Sequence, residues 1–317
     1  MKPSQAGGIA LPCSCHPTQW DSADLDNGVW ARVDEAEEPL GTKDKFWVQD
    51  TDGTRWLFKF ARQKHGVVRG EDWAEWLVHG LANLMGVPTA CIRPATSSGQ
   101  RGIISRSVVE SDQRLEHGNE LLARINPAYD VKAARQNAGY TVDAIRMSLE
   151  GVGPPAARDD LKQLSGFDVW ASYVVLDAWV AGRDRHHENW AAVRDDEARW
   201  LAPSFDHGNA LGFQEPDANK ADLAEHPDRL LTWAKRGRSH HFAGRPTLVA
   251  VAREALDLAS PEAATLWQAR LEGIQEPSVR QLLNRVPTDL LSVEDAPNSV
   301  ELRWRPDDHQ ATFTVSS

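Results

Sequence analysis

Residues 166–181, GFDVWASYVVLDAWVA, are apolar almost all the way round a helical wheel. Phe167, Val169, Trp170, Tyr173, Val174, Leu176, Trp179 and Val180 together cover every side. A helix of that kind is buried all round, so the rest of the chain must supply the elements that enclose it. Ser165 stands at the N-cap position and Gly182 where the helix should stop. Immediately beyond comes GRDRHHENW (residues 182–190), which crowds two arginines, two histidines, an aspartate, a glutamate and an asparagine onto the end of a rigid mount.

The chain has 317 residues, long enough for one large core or two unequal lobes. Its formal net charge of −11 argues against general nucleic-acid binding, which needs a surplus of Lys and Arg. Three cysteines, Cys13, Cys15 and Cys91, suggest a reducing compartment rather than a disulfide framework. There is no transmembrane run and no cleavable signal pattern, so the expected location is the cytoplasm.

Small and polar residues make 1–28 a poorly ordered tail by expectation. KFWVQDTDGTRWLFKF (residues 45–60) reads as two strands around a turn, with Trp56, Phe58 and Phe60 on one face and Arg55, Leu57 and Lys59 on the other. GEDWAEWLVHGLANLMG (residues 70–86) reads as a helix with Trp73, Trp76, Leu77, Leu81 and Leu84 on one stripe and Gly86 at its C-terminal end. Two more short strands follow, which gives a small mixed lobe over 29–110 and a mainly helical lobe over 111–317, an α+β chain. In the second lobe, NWAAV and RWLAPSF flank the polar turn RDDEA. Pairing them as a hairpin carries Asp206 back beside Asn189.

Asp184, Asn189 and Asp206 thereby converge. Phosphoryl transfer from ATP needs such a set: one carboxylate for the acceptor's proton, then an amide and a second carboxylate as hard oxygen ligands for Mg²⁺. His186 would orient the loop or Asp184, while His187 and Glu188 would be solvated. Upstream, a strand lysine on the phosphates and a helical carboxylate beside it are required, and Lys59 and Glu75 stand in that order. Asp72 competes with Glu75 for that place, since it lies nearer the apolar stripe.

DRHHEN (residues 184–189), followed by LAPSFDHGNALG (201–212), resembles the HipA-like kinases, whose DRHxxN loop is shared with phosphatidylinositol 3/4-kinases. The resemblance spans roughly residues 40–280 and is specific over 165–213. It implies a bilobal protein-kinase-like fold, ATP and Mg²⁺ as cofactors, Asp184 as catalytic base, and Asn189 and Asp206 as Mg²⁺ ligands. It further implies that Lys59 binds phosphate and Glu75 pairs with it. Gly41, Thr42 and Lys43 would cover the phosphates, and Ser107 and Val108 would belong to a hinge beside adenine. The expected acceptor is a protein serine or threonine hydroxyl, with room for a regulatory protein partner.

Rival readings are a lipid or small-molecule kinase, an inactive nucleotide-binding regulator, and a metal-dependent hydrolase built on Asp184, His186, His187, Glu188 and Asp206. KRGRSHH (residues 235–241) is the clearest basic cluster, suited either to an acidic or phosphorylated partner or to plain solvation.

Overall fold

The computed structural model describes residues 19–33, 45–64, 67–133, 135–290, 300–305 and 310–315. A six-stranded sheet is built from β1 (Ala23–Asp24), β2 (Ala31–Val33), β3 (Lys45–Gln49), β4 (Arg55–Phe60), β7 (Ile92–Ser97) and β8 (Gln100–Arg106). The two-residue strands β5 (Gln63–Lys64) and β6 (Val67–Val68) pair with each other beside it. The order across the main sheet is β1-β7-β8-β4-β3-β2, antiparallel except where β1 joins β7. Part of the expected tail, residues 19–28, therefore belongs to the sheet region, and Leu25 is buried there.

The β3–β4 turn closes as its residues demand. Asp50 accepts from the backbone N–H of Asp52 and Thr54 and from the Trp56 indole, and Gly53 takes φ 81°. Trp56, Phe58, Val48 and Ile104 form one core on the outer face of the sheet. Ile103, one residue along β8, turns inward to the main core.

Helix α1 (Glu71–Met85) lies under that inner face. It ends at Gly86 in the left-handed conformation, φ 73°. Its burial departs from a one-sided stripe: Glu71, Asp72 and Glu75 are buried, whereas Leu84 is exposed. The helix is enclosed by the sheet on one side and by helices on the other, so the apolar stripe does not mark which positions face water.

Helix α4 (Gly166–Trp179) fills the centre of the second lobe, with Trp170, Tyr173 and Leu176 fully buried. Ser165 and Asp168 form a reciprocal capping box at its start. It stops earlier than Gly182: Val180 is the C-cap and Ala181 takes the left-handed φ of 53°. Around it stand α2 (Gly118–Ile125), α3 (Val142–Ser148), α5 (Asp217–Glu225), α6 (Pro227–Arg236), α7 (Leu248–Leu258), α8 (Pro261–Glu272) and α9 (Glu276–Leu283). The expected hairpin forms as β10 (Ala191–Arg194) and β11 (Arg199–Leu201). A third strand, β9 (Arg114–His117), pairs antiparallel with β10, and its Glu116 carboxylate, buried, meets Arg124, Arg194 and Arg199. Strands β12 (Val300–Arg305) and β13 (Gln310–Val315) pair as a hairpin.

Among the described residues no helix is long and apolar enough to cross a membrane. Cys91 is buried and disulfide-bonded.

The helical lobe grips the C-terminal end of α1. Arg158 and Arg270 both donate to the Gly86 carbonyl, at 2.9 and 3.0 Å, and both bind Asp160. Cations on the last carbonyls of a helix satisfy orphan acceptors and suit its dipole. The Arg158 hydrogen bonds, aided by Arg270, hold Asp160 well below the ordinary value of 3.8. A lowered carboxylate pKa stabilises the fold above 3.8, and the contribution is lost as pH falls through the folded value. Asp160→Asn should therefore lower Tm at about pH 6, and the gap to the parent should narrow below about pH 4. A gap independent of pH would show that the carboxylate's charge is not what matters.

Candidate active site

Three elements deliver one cluster. Lys59 projects from β4, Glu75 from α1, and Asp206 from the loop after β11. Lys59 Nζ stands 3.3 Å from Asp206 Oδ1 and 3.9 Å from Glu75 Oε1. Gly102, paired opposite Phe60, lets β8 approach this part of β4, because a Cβ there would lie 2.2 Å from the Lys59 carbonyl. Asp72 does not compete: it pairs with Arg101 at 3.0 Å.

The Asp206 loop is stitched to the link after α1. Ala90 donates to the Ser204 carbonyl and Ser204 N–H to the Pro88 carbonyl. Asp206 takes φ 60°, a left-handed conformation that costs energy in a non-glycine residue and that surrounding contacts must hold. Gly208 then gives α1 room, since a Cβ there would stand 3.3 Å from Glu75 Oε2. Next to Asp206, His207 is buried with Nδ1 4.0 Å from Asp177. Burial first, and the Arg185 charge second, push its pKa well below 6.5 and keep it neutral.

The catalytic-loop candidates sit directly past α4. Asn189 donates through Nδ2 to the Asp184 carbonyl at 2.7 Å, which leaves its amide oxygen as the group available to a cation. Asp184 accepts from His241 Nε2 at 2.7 Å; a carboxylate can only accept, so Nε2 carries the proton. Burial alone would raise the Asp184 pKa, but the His241 hydrogen bond and the nearby His186 outweigh it and hold the group below 3.8. Asp184 is ionised at neutral pH. His186 accepts from the Glu188 N–H within the loop, and the side chain that hydrogen-bonds the Asp184 carboxylate is His241. His187 is not solvated: burial takes it to about 4, and its Nδ1 shares a hydrogen bond of 2.7 Å with the Tyr129 hydroxyl. Among the described residues no three His, Cys, Asp or Glu side chains gather as a metal cage.

The loop is held from below by a network that the sequence reading missed. Arg185, 5% exposed, forms a two-point ion pair with Asp177 of α4, both contacts 2.8 Å. Its third nitrogen donates to the Asn189 carbonyl, and its own carbonyl accepts from Tyr140, whose hydroxyl accepts from the Trp190 indole. A second aspartate, Asp177, near the end of an otherwise apolar helix, and an arginine eight residues on, were the available signal.

Ser107 and Val108 lead from β8 towards β9. Ser107 Oγ donates to the Val109 carbonyl and Val108 packs near Phe205. Both line a cavity of about 340 Å³ with His79, Thr89 and Arg158, and Lys59 is not among its walls. Gly41, Thr42 and Lys43 lie outside the described residues.

No protein-family model matches the chain, and no curated protein matches its sequence. Solved structures do match. The Helicobacter pylori proinflammatory kinase CtkA superposes with a TM-score of 0.67 over 87% of this chain and 90% of its own, at 12% identity. The chain has a protein-kinase-like fold. A Shewanella oneidensis MR-1 complex of HipA, HipB and operator DNA scores 0.38 at 12% identity, covering 81% of this chain and 63% of that one. The Golgi casein kinase scores 0.34 at 14% identity, covering 88% and 77%. At those scores neither bears on the fold.

In this kinase-like frame the Arg185–Asp177 pair is the support of the loop. Asp177→Asn leaves a buried guanidinium without a countercharge and should cost about 3–5 kcal/mol. Asp177→Leu combined with Arg185→Met should recover a large part of that loss in denaturant titrations. Equal destabilisation by the single and double variants would show that packing, not charge, is at stake.

Proposed function

We propose that this chain transfers the γ-phosphoryl group of ATP, with Mg²⁺, to a serine or threonine hydroxyl of a protein, in the manner of the HipA-like kinases its catalytic loop resembles. The observation that carries the reading is the meeting of Lys59, Glu75 and Asp206 within 3.9 Å, beside a loop that holds an ionised Asp184. An amide oxygen and a carboxylate, Asn189 and Asp206, are the hard oxygen donors that Mg²⁺ takes, so the donor set fits the ion. The bound metal would supply charge neutralisation on the phosphates.

The chain's own groups account for the rest. Lys59, held by Glu75, offers a positive charge to phosphate oxygens from the floor of the sheet. Asp184 accepts the hydrogen bond of the incoming hydroxyl and takes its proton as the new bond forms. Its low basicity suits orientation more than early proton removal, which fits a loose phosphoryl-transfer transition state. His241 fixes the carboxylate through one oxygen, leaving the other for the acceptor.

The test follows labelled γ-phosphate into the protein itself and into lysate proteins. Asp184→Ala and Asp206→Ala should each cut transfer by about 100-fold or more. ATP and Mg²⁺ added together should raise the Tm of the parent, because they bind the native state. Equal labelling by the parent and both variants would overturn the assignment.

A further inference from the structure

A second concentration of charge lies against the catalytic loop without taking part in it. Arg183, Arg229, Arg236, Arg238, Arg245 and His240 line a cavity of about 640 Å³. Among the described residues the one carboxylate on its wall is Glu215. This is a local reversal on a chain whose net charge is −11.

Two walls of the cavity are continuous with the base. Arg183 is the residue before Asp184. His240 is the residue before His241, whose ring bonds Asp184. The cavity is thus lined by the chain neighbours of Asp184 and of its partner His241.

Internal pairing does not explain the arginines. Glu215 reaches Arg183 at only 3.9 Å and also accepts from the Trp233 indole. Asp222 takes Arg229. Among the described residues no carboxylate pairs with Arg236, Arg238 or Arg245. Arg236 alone could be read as a cation suited to the end of α6. That reading does not extend to Arg238 and Arg245, which sit on the loop beyond it, Arg245 in a left-handed conformation at φ 50° with its carbonyl held by Arg238. Like charges brought together with no partner are a cost that an anion offsets. The field is visible at His240, which burial first and then His241, Arg183 and Arg245 push below 6.5.

Guanidiniums offer paired N–H donors that match the oxygens of a phosphate or carboxylate, and several converging ones favour the doubly charged phosphate. The volume suits a few side chains rather than an extended polymer. Among the described residues the one large apolar side chain on its wall is the half-buried Trp233, and the acidic chain as a whole repels an extended anionic membrane or polynucleotide more than it repels a short peptide. Those features favour a peptide.

We propose that this cavity is an acceptor-recognition site, which binds a phosphoserine, or less tightly a glutamate, next to the hydroxyl presented to Asp184. The placement of the hydroxyl rests on the phosphotransfer reading above; the binding of the anionic peptide does not.

The full chain, treated with phosphatase and then freed of it, is titrated with three fluorescent peptides. Each carries one acceptor serine, flanked by phosphoserines, by glutamates or by alanines. The phosphoserine peptide should bind at least about tenfold more tightly than the alanine peptide, with the glutamate peptide between them. Arg236→Gln with Arg245→Gln should remove at least about tenfold of that affinity, and the lysine pair should restore only part of it. A Tm close to the parent's, still raised by ATP with Mg²⁺, shows that the variants are folded. In transfer assays the same glutamine pair should raise the acceptor's KM about tenfold while kcat changes less than about twofold.

Equal affinity for the three peptides, equal affinity in parent and glutamine variant, or tighter binding of phosphatidylserine vesicles or polyuridylate than of the phosphopeptide overturns the site. Arginine-dependent peptide binding without any transfer by the parent upholds the site and overturns the phosphotransfer reading. Transfer that ignores the flanking residues does the reverse.

Discussion

The Arg185–Asp177 ion pair is the interaction on which the candidate site depends. It joins the first residue after Asp184 to a buried carboxylate in the last turn of α4. Both groups lie out of water, and burial works against the charge on each. Their bidentate geometry, with the Asn189 carbonyl taking a further donor, is what makes the arrangement tolerable. The result is a loop whose backbone is anchored at residues 185 and 189, so the side chains of Asp184 and Asn189 are held by two fixed points in the chain. A loop of this polarity resting on an all-apolar helix would otherwise have no directional hold.

The other half of the cluster depends on backbone stitching. Pro88, Ala90 and Ser204 exchange hydrogen bonds, which ties the segment after α1 to the segment before Asp206. Glu75 and Asp206 thus belong to strands of chain already fastened to each other, and Lys59 meets both from the sheet. Gly102 and Gly208 are needed for opposite reasons of the same kind: one admits a neighbouring strand to the Lys59 carbonyl, the other admits α1 to the loop.

Much of this was legible in the sequence because local rules and tertiary structure agree. The β3–β4 hairpin carries its Asp-Gly turn, α4 carries its Ser cap, and β10 and β11 flank a polar turn. What was hidden had a physical reason in each case. Strand β1 is two residues long and pairs in parallel, so it leaves no alternation to read. Strand β9 hides a buried glutamate among arginines that satisfy it only in space. His241 meets Asp184 across 57 residues, a contact no periodicity encodes. Glu75 lies off the apolar stripe and is buried all the same, because a helix enclosed on both sides buries its polar positions as well. His187 misled for a related reason, since a tyrosine 58 residues away in sequence gives it a partner inside the core.

The hold on the end of α1 has a mechanical meaning. Arg158 and Arg270 both reach the Gly86 carbonyl from the helical lobe, and Leu282 of α9 sits against Gly80 in the middle of the helix. The side chains of α1 also share one core with α4, not with the outer face of the sheet. In chain order α1 is part of the first lobe, and it packs on β7 and β8 of the sheet while the helical lobe holds its C-terminal end. Glu75 therefore rides on the element that both lobes grip, and Lys59 is the member of the cluster carried by the sheet. The distance between Lys59 and its two carboxylates is a gauge of how the sheet sits on α1 and on the loop after β11.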